Sequence, residues 1–229
     1  MNFIGHATVA LWTRTAPEFV LGSMLPDFAG MAGTRLLRAG QASLARAESA
    51  RLDPPASDPL AAGIALHHRT DDAFHSAPAF VRLLQETLDE LTEQGVTRGA
   101  ARAVAHIGTE MLIDGELLLS PEVAAAYTQA LAVERPLDAL FVDAEGGPRW
   151  SRLRERLLGH GVPYDYRDPD SVLRRLSLVL RARPRLAIDE KSAPLVRAHL
   201  PELQRKVVIA LPLLLESVRE ALAEARATH

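Results

Sequence analysis

The stretch Gly63 to His75, GIALHHRTDDAFH, sets three histidines and two aspartates among apolar residues. Imidazole and carboxylate together are the side chains that hold divalent ions when thiolates are absent, and this chain has no cysteine. Leu60, Ile64, His67, Asp71 and Phe74 follow one another at spacings of 4, 3, 4 and 3, which is a single helical stripe with apolar ends. His67 and Asp71 sit in its middle, four apart, so their side chains are neighbours able to converge on one ion. His68 and Asp72 repeat the spacing about 100° further round the helix, with fewer apolar companions, and read as a solvated pair. Two readings are open at this point: the inward pair holds a metal, or the segment is a polar surface face.

The anomaly recurs on other segments. Across 97–119, Ala103, His106, Ile107, Glu110, Asp114 and Leu117 share one face. His106 and Glu110 can meet a common ligand. Asp114 lies about 12 Å along the helix from His106, so it is expected to serve a second ion or to support the ligands of the first. His6 shares an apolar face with Phe3, Ala7 and Ala10, and Asp27 stands between Leu25 and Phe28 in GSMLPDF. An isolated buried carboxylate costs several kcal/mol unless it is paired or bound to a metal. A single His-x-x-x-Asp is more often a solvated or ion-paired face. Several such groups on separate apolar helices favour a shared metal site. His75, His160, His199 and His229 carry no comparable pattern and read as ordinary histidines.

These side chains need helices to carry them. Helical periodicity dominates and alternating strand patterns are nearly missing. The expected helices span 2–14, 17–24, 57–75, 77–94, 97–119, 121–132, 148–160, 169–182 and 192–226. Thr97 is an expected N-cap, and Pro78 and Pro121 suit first-turn positions. The stretches 38–56 and Ala144 to Pro148 (AEGGP) read as loops. With no repeat and no marked boundary, the expectation is one all-α domain over 1–229, a helical bundle closed by its C-terminal helix.

Composition narrows the classes. The chain of 229 residues is 48% hydrophobic and 24% charged, enough apolar material for a sizeable core. A formal net charge of −3 offers no basic field for nucleic acid. No apolar run reaches the roughly 18 residues of a membrane span, and MNFIGHATVALWTR lacks the basic start of a signal peptide. A cytoplasmic location is the expectation.

On these residues the sequence resembles the acyl carrier protein phosphodiesterase family, an α-helical group related to the HD-domain metal hydrolases. The likeness begins at MNFIGHATVA and continues through GSMLPDF, similar to the family's Leu-x-x-Asp-Phe element. It is sharpest at GIALHHRTD, which resembles Gly-Ile-x-x-His-x-Arg-x-Asp, and returns at FHSAPAF and at YRDPDSVLRRLSLVLRARPRL. The matching residues are His6, Asp27, His67, Arg69 and Asp71. Where the family tends to show Asp-x-x-x-Asp-His, this chain has His106-x-x-x-Glu110-Met111. The resemblance implies hydrolysis of the phosphodiester joining phosphopantetheine to a serine of acyl carrier protein. It implies that His6, Asp27, His67, Asp71 and His106 supply most ligands to one or two ions of Mn, Fe, Zn or Mg. Glu110 would then hold a second ion or take a proton from water, and Arg69 would hold a phosphate oxygen or make a surface salt bridge. Arg174, Arg175, Arg181, Arg183 and Arg185 are the candidate docking patch for an acidic carrier, although the net negative charge does not itself favour an acidic partner. Hydrolysis of another phosphoester, such as a nucleotide or a phospholipid head group, and a non-catalytic protein of the same fold are the competing expectations.

Overall fold

The computed structural model describes residues 1–37 and 58–227 and is all-α. In chain order the helices are α1 (Phe3–Leu11), α2 (Pro17–Met31), α3 (Pro59–Ser76), α4 (Pro78–Glu93) and α5 (Arg98–Ala103). A π-helical turn (Val104–Gly108) joins α5 to α6 (Thr109–Leu117). There follow α7 (Pro121–Leu131), α8 (Gly146–His160), α9 (Pro169–Leu180) and α10 (Ser192–Ala227). The loop expected over 38–56 lies outside the described residues.

The sequence marks no boundary, but contacts gather the chain into two compact units. The first comprises Met1–Asp71, Leu117–Val162 and Arg226–His229; the second comprises Asp72–Glu116 and Pro163–Ala225.

In the first unit α1 is buried from Phe3 to Ala10, as a helix apolar on every side must be. Phe3 packs against Phe28 of α2 and Tyr127 of α7, at ring centroid separations of 5.3 and 5.9 Å. The expected end of the second helix at 24 is overturned: α2 runs through Pro26 to Met31. A proline inside a helix costs about 3 kcal/mol. Leu25, Phe28 and Ala29 beyond or beside it are all buried, and Phe28 stacks on Trp150 of α8. Burial at about 1.5–3 kcal/mol for each large side chain outweighs the break. The result carries Asp27 on a helix.

Two glycines let α2 and α3 cross with their backbones in contact. A Cβ on Gly22 would fall 2.2 Å from the Leu60 carbonyl oxygen, and one on Gly63 would fall 2.2 Å from that of Phe19. Gly146 and Gly147, expected in a loop, instead form the first turn of α8. They sit so close to Phe141 and Asp138 that a Cβ at either position would clash.

In the second unit the buried stripe of α4 is Phe80, Leu83, Thr87 and Leu91, and that of α9 is Val172, Leu176 and Leu180. Along α10 the buried residues Val196, Leu200, Leu203, Val207, Leu214 and Val218 follow one another at spacings of 4, 3, 4, 7 and 4, which keeps them on one helical stripe. Pro78 and Pro121 open α4 and α7 as expected. Thr97 stands at the N-cap of α5, but its side chain makes no capping bond. Among the described residues no helix is long and apolar enough to cross a membrane.

Candidate metal centre

The crossing of α2 and α3 decides where His67 points. One turn after Gly63, its Nδ1 meets the backbone carbonyl of Ser23 at 2.9 Å. A carbonyl oxygen only accepts, so Nδ1 carries the proton and donates it. Nε2 is therefore left as a lone pair, the arrangement of a metal-ligating imidazole whose other nitrogen is held by a backbone carbonyl. That lone pair faces Asp71 Oδ2 at 3.8 Å. Ser23 also ties in α1, since its hydroxyl lies 3.2 Å from the His6 carbonyl oxygen and 2.8 Å from that of Val20.

His6 completes the group. Its imidazole stacks on that of His67 with centroids 3.9 Å apart and 28° between planes. Its Nε2 lies 3.3 Å from Asp71 Oδ1 and 3.9 Å from Asp27 Oδ2. Neither of its ring nitrogens has a hydrogen bond of proper geometry, although its side chain has no exposure to solvent. The Met1 ammonium approaches the same carboxylate, donating to Asp71 Oδ1 at 2.9 Å. One ligating atom from each of His6, His67 and Asp71 falls within 4.8 Å of the other two. Ligand atoms around a tetrahedral ion with bonds of about 2.0–2.1 Å stand about 3.3 Å apart, so only small movements would close these three on a cation.

Electrostatics point the same way. Burial lowers the pKa of His67 to about 3, with neighbouring His6 adding to the fall and Asp71 opposing it. Burial also lowers His6. Burial resists the ionisation of Asp71, but His6 and the Met1 ammonium hold its carboxyl below the usual range. Two neutral imidazoles thus sit against an ionised carboxylate, the protonation state that cation binding requires.

A stability prediction follows from His67. In the unfolded chain it takes up a proton near pH 6.5; in the folded chain it resists protonation down to about pH 3. Between those values the unfolded state binds more protons, so the metal-free protein loses stability as pH falls below about 6.5. The loss from this residue approaches about 1.4 kcal/mol per pH unit. Urea midpoints measured in chelator at pH 7.5 and pH 5 should differ accordingly; equal midpoints would mean that this ring is not buried in its neutral form.

The other expected residues are placed differently. His106 and Glu110 belong to the second unit, where they meet His75. His106 is thus a member of a second group and not of the one around His6. Asp114 is fully buried in α6 and lies outside both groups of candidate ligands. Arg69 is exposed, and a residue two places from both His67 and Asp71 lies on the far side of the helix from them. Of the arginine patch, Arg175 makes a two-pronged pair with Asp165 and lies over the Tyr166 ring, while Arg174, Arg181, Arg183 and Arg185 are exposed. His75, expected to be an ordinary histidine, stands with His106 and Glu110. The available signal was its place four residues beyond Asp71, which continues the His67–Asp71 spacing.

No protein-family model, curated protein or solved structure matches this chain. The chemistry of the site stands on its own geometry.

Proposed function

We propose that this protein is a metal-dependent phosphodiester hydrolase working from the His6, His67 and Asp71 group. The observation that carries the proposal is the lone pair of His67 Nε2, fixed by the Ser23 carbonyl and aimed at the ionised Asp71. Lone pair and anion repel unless a cation lies between them. The donor set of imidazole and carboxylate suits Mn, Fe or Zn, and Mg less well. When bound, such an ion lowers the pKa of a water molecule and polarises the phosphoryl oxygen.

The chain's own residues would do the rest. Ser23 orients His67, and the stacked His6 excludes water from the inner side of the group. Asp27 and Asp71, with side chains 27% and 35% exposed, mark the side from which water and substrate arrive. In hydrolysis the water oxygen bonds to phosphorus, the phosphorus–oxygen ester bond breaks, and the water proton ends on the leaving alcohol. Holo acyl carrier protein is the substrate suggested by the sequence resemblance.

The test is a panel of holo acyl carrier protein, a nitrophenyl phosphodiester, cyclic nucleotides and a phosphatidylcholine dispersion, each assayed with Mn, Fe, Zn and Mg. The expected result is metal-dependent turnover of at least one diester that is lost in Asp71→Asn. Turnover of a diester other than the carrier protein would move the substrate and keep the chemistry. No turnover with any metal would end the enzyme reading and leave a non-catalytic helical protein.

A further inference from the structure

The second unit holds a separate cluster built from different residues. His75 is in the last turn of α3, His106 is in the π-helical turn, and Glu110 is in the first turn of α6. His75 Nε2 lies 3.1 Å from His106 Nε2 and 3.3 Å from Glu110 Oε1. His106 Nε2 lies 3.2 Å from the same Glu110 oxygen. Three ligand atoms thus form a nearly equilateral triangle. Its edges match the roughly 3.3 Å between ligands of a tetrahedral ion with bonds of about 2.0–2.1 Å.

Protons alone cannot satisfy that triangle. Each Nε2 carries at most one proton, and a nitrogen that donates has no lone pair left in its ring plane. If both rings donate to Glu110, their two N–H groups oppose each other across 3.1 Å. If one ring donates to the other, the acceptor ring has no proton for the carboxylate. Protonating Glu110 moves the unsatisfied edge without removing it. In every protonation state at most two of the three contacts are hydrogen bonds. A cation at the centre satisfies all three at once.

The surroundings hold the rings in place. Phe80 meets both imidazoles nearly edge-on, with centroids 5.4 Å from His75 and 5.8 Å from His106. Phe74 packs against His75 at 5.3 Å and against Phe80 at 4.3 Å. The π turn is itself a local departure from regular helix, of a kind frequent at functional positions. The side chains of His75 and His106 remain 36% and 42% exposed, so the open side of the triangle faces solvent.

We propose that His75, His106 and Glu110 form a divalent transition-metal site of the zinc class, with three protein ligands and a fourth position open to solvent. Two imidazoles, one carboxylate and an exchangeable position make up a ligand set used by hydrolytic zinc centres. The site is independent of the hydrolase reading given above, because it draws on none of the residues of the His6 group.

The test uses the full-length chain, stripped of metal and titrated with Zn(II) or Co(II) alone. A variant carrying His6→Ala and Asp71→Asn removes the other group. That variant should still bind one equivalent of Zn(II), and its Co(II) complex should show the intense visible bands of tetrahedral coordination. Adding His106→Gln or Glu110→Gln should weaken binding by more than about a hundredfold, beyond the 10–100-fold that loss of an outer partner costs. Far-ultraviolet circular dichroism shows whether each variant keeps its helices; should one lose them, the cobalt spectrum of the His6→Ala/Asp71→Asn chain decides by itself. Failure of that chain to bind Zn(II), weak octahedral cobalt bands, or unchanged affinity in the folded His106→Gln variant would each overturn the proposal. Loss of diester hydrolysis with Zn(II) binding intact in the same variant would separate the fate of this site from that of the first.

Discussion

Gly63→Ala should destabilise the protein by about 3 kcal/mol or more and scatter the His6, His67 and Asp71 group. The added Cβ would stand 2.2 Å from the Phe19 carbonyl oxygen and 2.9 Å from both Gly22 Cα and Ser23 N. All three are backbone atoms, so no side-chain rotation relieves the overlap and α3 must move off α2. Alanine's better helix propensity, worth about 1 kcal/mol, works in the other direction and is too small to offset the clash. Moving α3 also pulls His67 Nδ1 from the Ser23 carbonyl, the bond that sets its tautomer. The control is Gly159→Ala in α8, where a Cβ meets nothing within 4 Å. That change should leave stability unchanged or raise it by up to about 1 kcal/mol. Urea denaturation followed by circular dichroism checks both, and equal midpoints for the two variants would show that α2 and α3 do not cross at these glycines.

The second large effect concerns His6 and reverses sign with metal. Its imidazole is fully buried with neither nitrogen properly hydrogen-bonded, a state that costs about 1–3 kcal/mol without a ligand. His6→Leu removes that cost and keeps most of the volume. In chelator the variant should therefore unfold at the same denaturant concentration as the parent or a higher one. With a divalent ion at a thousand times its Kd, the parent should gain about 4 kcal/mol and the variant nothing. Both chains should carry His106→Gln, so that the cluster around His75 does not contribute. If Mn, Fe, Zn and Mg all fail to stabilise the parent, or stabilise both chains equally, the group around His6 does not bind metal.

How much of this was legible in the sequence differs from residue to residue. His67 and Asp71 were placed side by side by helical spacing alone, and their apolar stripe gave the inward direction. The pairing of His106 with Glu110 was legible for the same reason. The extension of α2 past Pro26 was not, because local rules stop a helix before proline and only the burial of Phe28 against Phe3 and Trp150 overrides them. Nor was the grouping: nothing in the spacing says that His6 stacks on His67, or that His75 turns to His106 while Asp114 joins neither cluster.

By itself the sequence determined an all-α chain, the positions of most helices, and the pairs of ionisable groups four residues apart on their inward faces. Those features are local, set by 3.6 residues per turn and by which side chains avoid water. Only the tertiary structure decided which pairs meet across helices, and that the candidate ligands form two groups of three. The difference is physical: contact between distant segments depends on where backbones can approach, here at Gly22 and Gly63, and such an approach leaves no periodic trace in the chain.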